Sequence, residues 1–211
     1  MGREFDQLFD EWAANYDETV SGSDDQYTDV FLHYEQILET VASHAEGSII
    51  EFGVGTGNLT ARLLEKGKQV LGIEPSTEMR KKAKRKLGSL SIVDGDFFHF
   101  PVENGVDTFV STYAFHHLTD EEKEKAFELY SDLLTPGGKI VFADTMFLTK
   151  EDQQAAIDNA DRNNFDRLAE DLRTEYYTTI PYLKSILEKH QFHVTFEQLN
   201  AFVWLMHATK Q

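Results

Sequence analysis

The sequence predicts an α/β fold built on a doubly wound, mostly parallel sheet, and two observations lead to this prediction. From residue 48 onward, short apolar segments alternate with amphipathic helical segments through short connections, an order typical of parallel sheets covered by helices on both faces. Near the end of the chain, two strand-like segments are separated by only a few residues. That connection is too short for a helical crossover, so we expect the two strands to pair antiparallel.

Five apolar segments are predicted as buried strands, because they lack the polar alternation of a half-exposed strand. They span residues 48–52, 69–73, 90–93, 106–110 and 139–143. Near the end of the chain, apolar and polar residues alternate from Phe192 to Phe196, which is the period of a strand. Residues 201–206 form the last predicted strand.

The helices between these strands have recognisable starts and ends. Ser76 is predicted to cap a helix that ends at Gly88. Thr119 and Glu122 have the spacing of a capping box, and the helix they open stops before the turn at residues 136–138. Further helical segments are expected at about 150–173 and 181–190.

The chain is predicted to divide into an N-terminal segment, residues 1–46, and a core, residues 47–211, with a helical insertion at about 149–190. The first 48 residues contain twelve acidic residues and one basic residue. A first helix is expected because the apolar side chains share one helical face; they are Phe5, Leu8, Phe9, Trp12 and Tyr16. A second is expected from Tyr27 to about His44. Because a short amphipathic segment cannot bury its apolar face alone, we expect a helical lid that docks on the core.

The composition excludes several classes of function. The chain has 211 residues, 37 acidic and 20 basic side chains, and a formal net charge of −17. Such a surface repels the phosphates of nucleic acids and anionic membranes, so neither is expected as a partner. The absence of cysteine excludes disulfides, thiolate nucleophiles and cysteine-based metal sites. The sequence shows no secretory signal and no apolar segment of membrane-spanning length, so we predict a cytoplasmic protein.

A glycine-rich segment that follows the first strand indicates a bound ligand. Gly53, Gly55 and Gly57 allow a sharp turn and let a ligand approach the backbone where a Cβ would collide. A dinucleotide fingerprint would have glycine or alanine at the position of Asn58. The segment favours a nucleotide-like ligand over a purely structural turn, and an NAD-linked oxidoreductase is a less favoured alternative.

Three carboxylates stand at the ends of three successive predicted strands: Glu51, Glu74 and Asp96. Open α/β sheets bind ligands in the crevice at these strand ends. Glu74 is placed to accept hydrogen bonds from ribose hydroxyls, and Asp96 from an adenine amino group, with Phe97 as an apolar contact. Together the three acids indicate one nucleoside site.

These motifs resemble those of the class I S-adenosylmethionine-dependent methyltransferases. The matching segments follow in the same order as in that family and cover roughly residues 48–145; they are 51–57, 72–76, 94–97, 111–118 and 134–140. Over its whole length the sequence resembles the YrrT family of Bacillus-type bacteria, including the segment that precedes the core. The resemblance implies S-adenosylmethionine as cofactor and a seven-stranded sheet with an antiparallel last strand.

The resemblance also implies roles for individual residues. The backbone at Gly53 and Gly55 would contact the methionine part of the cofactor, and Glu51 would help to hold its amino group. Tyr113, after the fourth strand, would lie near the same methionine part. In this family's pattern, Glu74 would hold the ribose of the cofactor and Asp96 would hold the adenine.

The favoured function is methyl transfer to a small-molecule acceptor, and the alternative is a non-catalytic S-adenosylmethionine-binding protein. An acceptor that loses a proton needs a base, and the candidates are His116, His117 and Tyr16. Adjacent histidines without a further ligand at metal-binding spacing are more often structural, so no metal site is expected. The basic run at residues 80–86 is interpreted as the solvated face of a helix.

Overall fold

The structure is a computed structural model that describes residues 9–10, 12–88, 90–102 and 105–211. The expected lid residues Phe5 and Leu8 lie outside the described residues. The prediction that both belong to an amphipathic helix therefore stays a prediction.

A seven-stranded sheet forms the centre of the protein. Its strands are β1 (Ser48–Phe52), β2 (Gln69–Ile73), β3 (Ile92–Val93), β4 (Val106–Thr112), β5 (Leu134–Thr145), β6 (Phe192–Gln198) and β7 (Val203–Lys210). They are ordered β3-β2-β1-β4-β5-β7-β6. Strand β7 runs antiparallel to both of its neighbours, and the other pairs are parallel. The predicted sheet, including its antiparallel last strand, is confirmed.

Seven helices of eight or more residues are seen in the described part of the chain. They are α1 (Tyr34–His44), α2 (Asn58–Glu65), α3 (Thr77–Leu87), α4 (Asp120–Leu133), α5 (Lys150–Arg162), α6 (Asp166–Thr174) and α7 (Ile180–Lys189). Helices α4 and α7 pack on one face of the sheet, and α1 and α2 pack on the other. Among the described residues, no helix combines the length and the apolar character needed to cross a bilayer.

Successive residues of the central strands supply the cores on the two faces. In β4, Phe109 faces α4 and α7, whereas Val110 faces α1 and α2. Tyr130 of α4 stacks on Phe109 with ring centroids 4.4 Å apart, and its hydroxyl donates a hydrogen bond to the Phe97 carbonyl at 3.0 Å. This aromatic layer therefore links α4 to the loop that follows β3.

The predicted helix caps are present. Ser76 Oγ accepts a hydrogen bond from the Met79 amide at 3.1 Å, and α3 ends at Gly88 with a φ of 74°. At the start of α4, the Glu122 amide donates to Thr119 Oγ1 at 3.3 Å, and the Glu122 carboxylate accepts from the Thr119 amide at 3.0 Å. Short-range polar spacing thus predicts both helix starts correctly.

Two helix boundaries differ from the sequence prediction, and each difference lies at a left-handed residue. The helix expected from Tyr27 begins at Tyr34, because His33 before it has a φ of 65°. The segment expected as one helix over 150–173 is divided into α5 and α6 near Asn164, which has a φ of 57°. Neither residue is glycine, but histidine and asparagine adopt this conformation more often than most other side-chain-bearing residues.

We expect the Phe127→Ala substitution to lower the free energy of unfolding by about 3–5 kcal/mol, because it opens a cavity in the packed face of α4. Phe127 is fully buried, whereas Leu148 is half exposed. Leu148→Ala is the matched control and should change stability by less than about 0.5 kcal/mol. Urea denaturation followed by circular dichroism measures both. Similar losses in the two variants would contradict this assignment of the core.

Candidate functional site

A cleft opens at the carboxyl ends of β1, β2 and β4. Six of the seven residues that the sequence analysis assigned to the cofactor line it: Gly53, Gly55, Glu74, Asp96, Phe97 and Tyr113. Two of the three candidate bases, Tyr16 and His117, line it as well. The structure therefore brings residues from five separate segments of the sequence into one cleft.

The glycine-rich loop adopts a backbone that requires glycine at two positions facing the cleft. Gly53 and Gly55 have φ values of 66° and 56°, in the left-handed region. A Cβ added at Gly53 would lie 2.7 Å from the Cβ of Ala114, which is closer than side chains pack. Because neither position carries a side chain, the loop presents bare backbone to the cleft.

Glu74 holds this loop against the end of β2. Its two carboxylate oxygens accept hydrogen bonds from the Gly55 amide at 2.7 Å and from the Ser76 amide at 2.8 Å. The side chain is buried and lines the cleft. Glu74 is therefore a hydrogen-bond acceptor at the wall of the cleft.

Asp96, which follows β3, is held as a charged carboxylate in the lining of the cleft. It accepts hydrogen bonds from the amides of Phe98 at 2.8 Å and His99 at 2.9 Å. Burial raises the pKa of Asp96, but these amide hydrogen bonds and the His99 ring outweigh burial and hold the pKa below its usual range. The neighbouring Phe97 ring packs on Phe52 with centroids 5.1 Å apart. The result is a negative acceptor beside a flat apolar surface.

Glu51 does not line the cleft. It is 1% exposed and accepts a hydrogen bond from the hydroxyl of Thr60 at 2.7 Å. Burial raises the pKa of Glu51 to about 8, although the Thr60 hydroxyl favours the charged form. In the absence of a nearby cation the side chain is therefore mostly protonated at neutral pH. Its expected role toward an amino group stays a prediction.

A group of tyrosines closes the cleft on the side of β4. Tyr113 has a φ of 53°, a left-handed conformation that is rare for a large side chain. Its ring lies 5.6 Å from that of Tyr34, which interacts by a hydrogen bond with Tyr16. Burial raises the pKa of Tyr16 to about 12. Tyr16 is thus a neutral hydroxyl at physiological pH and a poor general base.

The two adjacent histidines have different surroundings. His116 lies behind the cleft, where its Nδ1 is 2.5 Å from Asp144 Oδ1 and its Nε2 is 3.4 Å from Glu175 Oε2. Burial alone would lower the pKa of His116, but the charges of Asp144 and Glu175 raise it to about 8. Burial, with His116 and Lys123 nearby, lowers the pKa of His117 well below its usual range. His117, which lines the cleft, is therefore the neutral imidazole of the pair.

The N-terminal segment reaches the cleft through two carboxylates. Asp10 accepts hydrogen bonds from Ser76 Oγ at 2.5 Å and from the Glu78 amide at 3.1 Å. Asp17 accepts from Thr56 Oγ1, in the glycine-rich loop, at 2.5 Å. Phe9 and Tyr16 of the same segment line the cleft. The described part of residues 9–18 is thus attached to both loops that form the site.

The surface under this segment is basic. Helix α3 carries the basic run at residues 80–86, with Met79 and Ala83 buried beneath it. Lys82 Nζ donates to the Ala14 carbonyl at 2.8 Å, and Lys86 Nζ lies 3.9 Å from Asp17 Oδ2. The solvated helix face expected from the sequence therefore also receives the acidic N-terminal segment.

Two carboxylates near the histidines, Asp144 and Glu175, were not predicted from the sequence. Asp144 directly follows the predicted strand over residues 139–143, so the strand-end rule that identified the other acids would have found it. Glu175 lies in the insertion, 59 residues after His116. Only the folded chain brings these two residues together.

The chain is similar to known methyltransferases in both sequence and fold. Residues 49–138 match the family model of a methyltransferase domain. An uncharacterized methyltransferase of Bacillus cytotoxicus is 58% identical to this chain, and another from Bacillus mycoides is also 58% identical. Each alignment covers 100% of both proteins.

A solved structure with a similar fold comes from Thermotoga maritima and is described as a SAM-dependent methyltransferase, possible histamine N-methyltransferase. It superposes with a TM-score of 0.66, covers 98% of this chain and 99% of its own, and is 16% identical in sequence. At this identity the likeness concerns the fold. The full-length identity to the Bacillus proteins, together with the methyltransferase domain, shows that the chain belongs to the S-adenosylmethionine-dependent methyltransferase family.

Proposed function

We propose that the cleft holds S-adenosylmethionine and that the chain transfers its methyl group to a small-molecule acceptor. The observation that carries this proposal is the convergence of the bare glycine backbone, Glu74 and Asp96 on one cleft. Membership of the methyltransferase family disfavours the NAD-linked alternative considered from the sequence.

The side chains present fit the parts of this cofactor. Glu74 is a buried acceptor at the end of β2, suited to ribose hydroxyls, and charged Asp96 is suited to the adenine amino group. The rings of Tyr16 and Tyr113 line the part of the cleft nearest β4, and aromatic faces stabilise a cationic sulfonium. The cofactor itself supplies an electrophilic methyl group when it is bound.

The protein contributes alignment and exclusion of water. The hydrogen bond between the Gly55 amide and the buried Glu74 carboxylate fixes the part of the cleft proposed to hold the methyl donor. Phe9 and Tyr16 of the N-terminal segment contribute bulky side chains to the lining of the cleft, which supports the lid predicted from the sequence. Because the lid closes the cleft with bulky side chains, the site suits a small molecule better than a polymer.

Proton removal from the acceptor falls to a group in the cleft. His117 lines the cleft as a neutral imidazole, whereas Tyr16 is held protonated and His116 is engaged by Asp144. Of the three candidates from the sequence, His117 is therefore the best placed to contact the acceptor, although its lowered pKa makes it a weak base.

The Asp96→Ala substitution should weaken binding of S-adenosylhomocysteine by about 1–3 kcal/mol, the cost of leaving a buried donor without its acceptor. Isothermal titration calorimetry measures this change. Asp94→Ala is the matched control, because that carboxylate pairs with Arg80 on the surface at 2.9 Å. Equal affinity of the Asp96 variant and the wild type, with the fold intact, would remove Asp96 from the adenine site.

Binding of S-adenosylhomocysteine near pH 7 should release up to about one proton if its ammonium group reaches Glu51. The pKa of Glu51 is about 8 in the free protein, so the carboxyl starts mostly protonated, and a neighbouring cation would lower its pKa and expel the proton. Calorimetry in two buffers of different ionisation enthalpy counts the protons. Glu51→Gln should abolish the release. A wild-type enthalpy independent of buffer would make Glu51 purely structural.

The double substitution Asp10→Ala, Asp17→Ala should loosen the lid, because it removes the hydrogen bonds to Ser76, Glu78 and Thr56. Release of S-adenosylhomocysteine, followed by stopped flow, should become at least about fivefold faster. Amides between Trp12 and Tyr16 should exchange faster with deuterium.

Asp25→Ala is the control for this experiment, since Asp25 is exposed on the same acidic segment. If the control and the double variant release the ligand at the same rate, the carboxylate contacts do not hold the lid.

A further inference from the structure

His116, His117 and Glu175 form a compact group of nitrogen and oxygen ligands beside the cleft. One ligand atom from each residue lies within 4.8 Å of the other two. Glu175 has one carboxylate oxygen 3.4 Å from His116 Nε2 and the other 3.9 Å from His117 Nδ1. The side chains of all three residues are at most 12% exposed. The group is thus largely withdrawn from solvent.

The ligand atoms are held in place by neighbouring groups. Asp144 accepts hydrogen bonds from His116 at both Nδ1, at 2.5 Å, and the backbone amide, at 2.9 Å. This leaves Nε2 directed at Glu175. The Tyr177 hydroxyl donates to the Glu175 carboxylate, and the Tyr176 amide donates to the His116 carbonyl at 3.1 Å. A carboxylate behind a histidine is the usual support of a metal-binding imidazole.

We propose that His116 Nε2, His117 Nδ1 and the Glu175 carboxylate bind a divalent transition-metal ion such as Zn²⁺. Two imidazoles and one carboxylate form a set that binds zinc in catalytic sites. With bond lengths of about 2.1 Å, tetrahedral ligand atoms lie about 3.4 Å apart. The two nitrogen–oxygen separations, 3.4 Å and 3.9 Å, are close to that value, and the two histidines offer ligand atoms within 4.8 Å of each other.

The positive charge of Lys123 near His116, His117 and Glu175 is the main argument against a bound cation. Lys123 lies nearby, but its ammonium group donates to the carbonyls of Leu118 and Tyr176 and lies outside the ligand set. Asp144 and Glu175 supply two negative charges that face the histidines. The competing arrangement is a protonated His116 between these two carboxylates, with no ion, and the test below distinguishes the two.

Three protein ligands leave a coordination position free for a water molecule or an acceptor oxygen. His117 belongs both to the ligand group and to the lining of the cleft. The ion would therefore sit at the edge of the cleft, where it binds and acidifies a hydroxyl of the acceptor. This assignment of a hydroxyl-bearing acceptor rests on the proposed function, whereas the metal site does not.

Zinc binding tests the proposal directly. Protein without a histidine tag, treated with a chelator and exchanged into metal-free buffer, is titrated with Zn²⁺ by calorimetry. Co²⁺ in place of Zn²⁺ reports the ligand set through its visible absorption. We expect one ion per chain, with the spectrum of a site of low coordination number.

Variants identify the ligands. Asp144→Asn should weaken Zn²⁺ binding by about 10–100-fold through the orientation of His116. His117→Gln and Glu175→Gln remove a ligand each and should weaken it further. His207→Gln is the matched control, because His207 and His44 form another close imidazole pair, with ring centroids 5.1 Å apart. Circular dichroism melting curves show whether each variant is folded.

The proposal is overturned if the wild type binds no stoichiometric Zn²⁺, or if the control loses as much affinity as the ligand variants. Binding of S-adenosylhomocysteine, measured on the same samples, separates this outcome from failure of the proposed function. Cofactor binding without metal binding would reject the metal site alone. Metal binding without cofactor binding would reject the cofactor site alone.

Discussion

The carboxylate of Glu74 joins the two loops on which the cleft depends. One oxygen receives the amide of Gly55 from the loop after β1, and the other receives the amide of Ser76 at the start of α3. Because Ser76 also caps α3 and contacts Asp10, this one side chain connects the glycine-rich loop, a helix and the N-terminal segment. A buried carboxylate with both oxygens engaged has little freedom to move. The positions of the glycine-rich loop and of the start of α3 therefore depend on this anchor.

Much of the fold was predictable because its signals are local. The strands β1 and β2 have the bounds expected from apolar runs, and the caps at Ser76 and Thr119 follow from polar spacing over three residues. The glycine-rich loop and the strand-end acids also follow from position in the sequence. The breaks at His33 and Asn164 were not predicted, since only a minority of histidine and asparagine residues adopt a left-handed backbone.

The site was predictable only where the parallel sheet itself places residues together. Strand ends meet at one edge of such a sheet, and Glu74 and Asp96 meet there accordingly. Glu175 belongs to the insertion between β5 and β6, and no periodicity relates it to the histidines that it approaches at 3.4 Å. The interpretation of the histidine pair as structural rested on the two side chains alone. The fold places the Glu175 carboxylate beside the pair and Asp144 behind His116, which changes the chemistry available to the two histidines.

The acidic N-terminal segment meets a basic helix rather than another acidic surface. The negative charge of this segment is partly offset by Lys82 and Lys86 of α3. Contacts between exposed charges are screened over about 8 Å at physiological ionic strength, whereas the buried hydrogen bonds of Glu74 are screened much less. Rising salt concentration should therefore weaken the ion pair between Lys86 and Asp17 more than the hydrogen bonds that Glu74 accepts.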